Sequence, residues 1–171
     1  ALHAHGHPVV TDDILSVEMG EENTGTVWPG FSRLSMWPDA ASAVGQDPST
    51  LAALHERVSK RAVPAREGFA AQRALALDGI YVLGQGDRLE CNVLSPREAF
   101  VELLRHSYCS GQLGQFSSDA LSPLFRQYSR LVETVPVYQL DRPDDLTKLP
   151  DIVRVVEQNL NGVPVASLHG C

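Results

Sequence analysis

Short apolar runs rich in β-branched residues alternate along this chain with stretches of helical period, and no other feature narrows its possible folds as much. An all-β chain would alternate with period two throughout, and a helical bundle would repeat apolar residues three and four apart from end to end. The mixed order points instead to one α/β domain built around a mixed sheet. The clearest helix start is Ser95-Pro96-Arg97-Glu98, a capping box with proline at the first helical position. The helix it opens carries Phe100, Val101, Leu103, Leu104 and Tyr108. Asp47-Pro48 has the same cap chemistry, and Leu51, Leu54 and Val58 extend an apolar stripe behind it. Helices are also expected from Pro38 to a stop at Gly45, over 121–132, and over 152–160 with a stop at Asn161-Gly162. Ala1 to His5 reads as the last turn of a helix ended by Gly6.

Strands are expected over 8–19, over 26–37 with a bend at Pro29-Gly30, and over 76–83, 89–94 and 135–140. Gly84-Gln85-Gly86-Asp87 lies between two of these runs and suggests a hairpin, Glu21 to Gly25 reads as a turn, and 60–73 reads as irregular and basic. Residues 1–160 are taken as the domain and 161–171 as a tail, with no internal repeat and no low-complexity linker.

Composition removes several classes of function. With 171 residues, 43% apolar and 20% charged, the chain can bury a core and does not have the make-up of a disordered segment. No apolar run approaches the roughly 18 residues of a membrane span, and no secretory signal opens the chain. A net charge of −7 argues against a general nucleic-acid binder. Cys91, Cys109 and Cys171 are odd in number and widely spaced, which reads as free thiols in a reducing cytoplasm.

The sharpest chemical signal is Val9-Val10-Thr11-Asp12-Asp13. Nucleotide-dependent transferases use a strand ending in acids to set a magnesium ligand beside a phosphate. Neighbouring residues of a strand point to opposite sides, so Asp12 and Asp13 suit two tasks, one holding magnesium and one taking a proton from an attacking hydroxyl. A polar strand end or turn accounts for the same residues, and short acidic pairs are common. Arg33, Lys60 and Arg61 suggest a phosphate clamp, with arginine gripping as a fork and lysine as a point charge, or else ordinary surface charge. Trp28, Phe31 and Trp37 suit stacking on a base or substrate, or more commonly core and interface packing. His3, His5 and His7 suggest either a metal site or a helix end followed by a turn; Gly6 and Pro8 break the regular geometry a metal would need, favouring the second.

The stretch Gly6-His-Pro-Val-Val-Thr-Asp-Asp13 resembles the segment after the phosphate loop and its helix in the HPr kinase/phosphorylase family. It is closer still to the related kinases of lasso-peptide and similar peptide-modification clusters. Pro29-Gly-Phe-Ser-Arg-Leu-Ser-Met-Trp-Pro-Asp39, Lys60-Arg-Ala-Val-Pro64, Leu94 to Tyr108, Val135-Pro-Val-Tyr138 and the Arg142 to Leu146 element resemble later family segments in order and spacing, so the likeness covers about residues 1–160.

The resemblance implies a P-loop kinase-like α/β fold of the phosphoenolpyruvate-carboxykinase type. It further implies ATP and magnesium as cofactors, and a small protein or peptide as acceptor of phosphate on a serine hydroxyl. Asp12 matches the family's proton acceptor and Asp13 the acid that helps hold magnesium, while Arg33 and Trp37 fall in the segment beside the family's active site. Ser32 stands where true HPr kinases carry an acidic metal ligand. The family's glycine-rich loop, with its lysine and serine, belongs immediately before Ala1; the two lysines of this chain, Lys60 and Lys148, are not in such a loop. Truncation at the front is therefore expected, as is a cytoplasmic protein with neither nucleic-acid nor membrane partners and with oligomers of itself as in HPr-type relatives. The other reading is a loop-less relative that binds a peptide or partner and transfers nothing.

Overall fold

The computed structural model describes residues 1–21, 24–30, 33–64, 73–108, 110–115 and 117–162. Among them a 3-10 turn, Leu2–His5, is followed by β1 (Ser16–Met19), β2 (Gly25–Trp28), β3 (Arg33–Met36), α1 (Pro38–Ala43), β4 (Ala52–His55) and β5 (Val58–Pro64). Then come β6 (Leu75–Ala76), β7 (Ile80–Gln85), β8 (Glu90–Val93), α2 (Pro96–Arg105), α3 (Ser118–Thr134), β9 (Val137–Arg142) and α4 (Leu149–Leu160). The α/β mixture matches the reading of the sequence. The single mixed sheet does not: the described strands form three three-stranded sheets, ordered β1-β2-β6, β3-β5-β4 and β7-β9-β8.

The chain divides into two compact units. The first takes in Ala1–Ser16, Trp28–Ala74 and Asp144–Glu157; the second takes in Val17–Val27, Leu75–Pro143 and the chain from Gln158 onward.

In the first unit β5 is the central strand. It pairs antiparallel with β3, Leu34 opposite Val63 and Met36 opposite Arg61, and with β4, Ala53 opposite Arg61. α1 packs on β5. Pro38 starts that helix with its φ already set, Ala41 is fully buried, and Gly45 closes it at φ 78.

The helix expected behind Asp47-Pro48 is absent. Asp47 does cap, but it caps a single turn: its Oδ1 accepts from Ser49 N at 2.9 Å and Ser49 Oγ at 2.7 Å, and Thr50 N donates back to Asp47 O at 3.1 Å. The chain then enters β4 and turns at Glu56-Arg57 into β5, where neighbours on both sides satisfy the backbone. Sheet partners outweigh a modest helix propensity here. The irregular reading of 60–73 is corrected in the same way, since Lys60–Pro64 belongs to β5; residues 65–72 lie outside those described.

The strand expected over 8–19 shortens to β1. Pro8 offers no N–H, and the Thr11 hydroxyl donates to Ile14 O at 2.9 Å, closing a local turn that competes with a ladder. The strand expected over 26–37 breaks into β2 and β3 around Pro29-Gly30.

In the second unit β9 lies between β7 and β8, parallel to the first, Ile80 opposite Val137, and antiparallel to the second, Val93 opposite Tyr138. The expected β7–β8 hairpin is therefore corrected. β9, the central strand, carries Val137 and Leu140, which are almost wholly buried. Val82, Ala99 and Val137 form the core, with Ile80, Leu94 and Val132 against it. Tyr81 and Tyr138 stack at 5.0 Å, and Asn159 Nδ2 donates to the Tyr81 hydroxyl at 3.2 Å.

The capping box of α2 forms as expected: Ser95 N donates to Glu98 Oε2 at 2.9 Å, and Glu98 N donates to Ser95 Oγ at 3.4 Å. α3 and α4 cover the stretches expected to be helical, and Gly162 follows α4 at φ 69. The tail at 163–171, with Cys171, lies outside the described residues, as does Cys109. Among the described residues no helix is long and apolar enough to cross a membrane.

Candidate functional site

The acid pair sits in a bend of the first unit, ahead of β1, and not at the C-terminal end of a strand as the sequence suggested. Residues 8–15 have no ladder, so a few discrete contacts hold them. Gly30 N donates to Val10 O at 2.8 Å. A Cβ on Gly30 would stand 2.5 Å from Thr11 Oγ1 and 2.9 Å from Thr11 Cβ, so only glycine lets these two segments lie this close. Beyond them, Asp12 Oδ2 accepts from Ser35 N at 2.8 Å. Among the described residues β3 is an edge strand, paired only with β5, and the Asp12 carboxylate occupies an N–H that this edge leaves open.

Asp12 and Asp13 are both exposed. They lie outside a cavity of about 200 Å³ in the same unit, which is lined by Ala1, His3, Met36, Val44, Gln46 and Val63 among others.

Of the expected phosphate-binding cations, Arg33 opens β3 opposite Pro64, and its side chain lies outside the described residues. Lys60 and Arg61 are consecutive on β5 and therefore leave opposite faces, so the strand does not join them into one clamp. Lys60 Nζ stands 5.5 Å from the centre of the Trp37 ring. The Arg61 Nε atom is buried without a hydrogen-bond partner among the described residues.

Trp28 and Trp37 are 49% and 51% exposed, which sets both apart from the core reading; Phe31 and Ser32 lie outside the described residues. The three early histidines serve separate partners. His3 Nδ1 donates to His7 O at 3.3 Å, His5 Nδ1 contacts Ala1 O at 3.1 Å, and His7 Nε2 meets Glu157 Oε1 at 2.7 Å. Among the described residues no group of three or more His, Cys, Asp or Glu side chains is placed to hold a metal alone.

Reading the sequence missed three participants: Glu157, Ser35 through its N–H, and the Gly30–Thr11 contact. Pro29-Gly30 signalled a bend, but nothing in the order of residues ties position 157 to position 7. No family model, no curated protein and no solved structure matches the chain.

Proposed function

We propose that this chain is the greater part of an ATP-dependent kinase domain of P-loop kinase-like fold, which phosphorylates a serine hydroxyl on a small protein or peptide in the cytoplasm. One observation carries the reading. The hydrogen bond from Ser35 N to Asp12 Oδ2 at 2.8 Å brings the Gly6–Asp13 stretch against the Pro29–Asp39 stretch, the two segments that the resemblance requires to adjoin.

The chemistry rests on Asp12 itself. One carboxylate oxygen is held by the Ser35 N–H, which fixes the group, while the other remains to take the proton of an attacking hydroxyl. Its exposure admits the side chain of a macromolecular acceptor. The donor set also suits magnesium, because that ion is commonly held by one or two carboxylates together with substrate phosphates and needs no three-ligand cage. Asp13 is the residue to hold it, and the bound ion supplies charge that offsets the charge building on the phosphoryl oxygens. Lys60, a point charge beside Trp37 on one face of β5, is the cation offered to phosphate, with Arg33 at the start of β3; Arg61 leaves the other face of the strand and takes no part in that grip.

The test is phosphoryl transfer from ATP to serine peptides, using the chain extended ahead of Ala1 by the glycine-rich loop that the resemblance implies. Asp12→Asn is expected to lower the single-turnover rate about a hundred- to ten-thousand-fold with nucleotide affinity kept. Asp13→Asn is expected to weaken magnesium-dependent nucleotide binding instead. Transfer by Asp12→Asn at the parent rate refutes the assignment. A parent that binds peptide but transfers nothing favours the non-catalytic binding module.

A further inference from the structure

His7 and Glu157 are 150 positions apart in sequence, yet His7 Nε2 and Glu157 Oε1 approach to 2.7 Å. A carboxylate can only accept, so the Nε2 nitrogen carries the hydrogen and donates, whatever the charge of the ring. The backbone of His7 is tied as well: its N donates to Leu2 O at 3.2 Å and its O accepts from His3 Nδ1 at 3.3 Å. His7 is thus a fixed point at the start of the segment that leads to Asp12.

From His7 to Asp13 no strand or helix holds the chain. Its course depends on separate tethers: His7 to Glu157, Val10 to Gly30, and Asp12 to Ser35. Loss of the first leaves Pro8 and Val9 held on the His7 side only by the short-range bonds of the His7 backbone to Leu2 and His3, with no tie to α4. We infer that the His7–Glu157 pair is a positioning device, by which α4 holds the Val9–Asp13 segment in register with β3 and so sets where the Asp12 carboxylate stands. The consequence for phosphoryl transfer rests on the kinase reading; the tether itself does not.

With side chains 43% and 41% exposed, the pair adds little to overall stability, so its effect is sought locally. The experiment is residue-resolved amide hydrogen exchange on the full chain, comparing the parent with Glu157→Ala, His7→Ala and Glu157→Gln. Both alanine variants are expected to speed exchange at the Gly30 and Ser35 amides by up to about fivefold, with Val63 in the centre of the sheet unchanged. Glu157→Gln keeps an acceptor oxygen for Nε2 and is expected to restore most of the protection.

Unchanged Gly30 and Ser35 amides in either alanine variant overturn the inference. So does a uniform rise that includes Val63, which would make the pair a general structural contact. In the loop-extended chain, Glu157→Ala should lower kcat without changing nucleotide Kd, and an unchanged kcat in an active parent also overturns positioning. A parent with no transfer defeats the kinase reading alone, and the amide pattern then decides the tether.

Discussion

Gly30→Ala probes the contact that seats the acid-bearing segment. Gly30 is not in the left-handed region, so the substitution brings no backbone strain and its sign depends on space. The unfolded chain loses freedom, which favours the variant by about 0.4–1 kcal/mol. Against this, the new methyl would lie 2.5 Å from Thr11 Oγ1 and 2.9 Å from Thr11 Cβ. Threonine is short and branched at that very carbon, its hydroxyl is engaged by Ile14 O at 2.9 Å, and the adjacent Val10 O is tied to Gly30 N at 2.8 Å. The side chain has no far end to swing away, so the backbone must give, and overpacking of this kind costs about 1–3 kcal/mol. The net expectation is a loss of about 1 kcal/mol, the clash being the larger effect. Urea denaturation reads it as a lower midpoint at an unchanged slope. Thr11→Gly removes both opposing atoms, so in that background Gly30→Ala should turn neutral or stabilising, and the cycle should show coupling. A Gly30→Ala chain as stable as its parent, or an equal loss in both backgrounds, refutes the steric argument.

Two other expectations rest on local hydrogen bonds. Ser95→Ala removes the acceptor for Glu98 N at the head of α2 and should cost about 1 kcal/mol in the same denaturation assay. The Asp47, Glu98 and Asp145 carboxyls are held below their ordinary range, chiefly by side-chain hydrogen bonds from Ser49, Ser95 and Thr147. Because the folded values are the depressed ones, this stabilisation is complete above the unfolded values near pH 4 and is lost as pH falls through the folded ones. Carboxyl chemical shifts tracked through an acid titration should place their midpoints below those of unstructured peptides, and midpoints at the peptide values would contradict the bonds.

Elements whose cause is local were legible in the sequence. Ser95 to Glu98 carries its own cap chemistry, and Gly6, Gly45 and Gly162 mark stops where φ turns positive. Asp47 was legible as a cap but not as the cap of one turn only, because the conformation of Ala52–His55 is settled by the ladder that β5 offers to β4. The acid pair was visible as chemistry, whereas its place in a bend depends on Gly30 and Ser35, brought near by folding. Lys60 and Arg61 looked like one cluster on charge alone; the pleat separates them once that stretch is a strand. Glu157 had no local signal at all.

The place of β9 bears on how the second unit comes together as the chain is made. β7 and β8 leave the ribosome well before β9 and are joined by a glycine-rich turn suited to pairing them directly, yet in the finished fold they never touch along their ladders. A nascent chain that has reached Val93 holds two strands with open edges and no native partner for either. A pairing of the two with each other would have to come apart before β9 could enter between them. The low-sequence-separation route thus leads to the wrong neighbour, and the last strand in the order of synthesis is the one that the other two require.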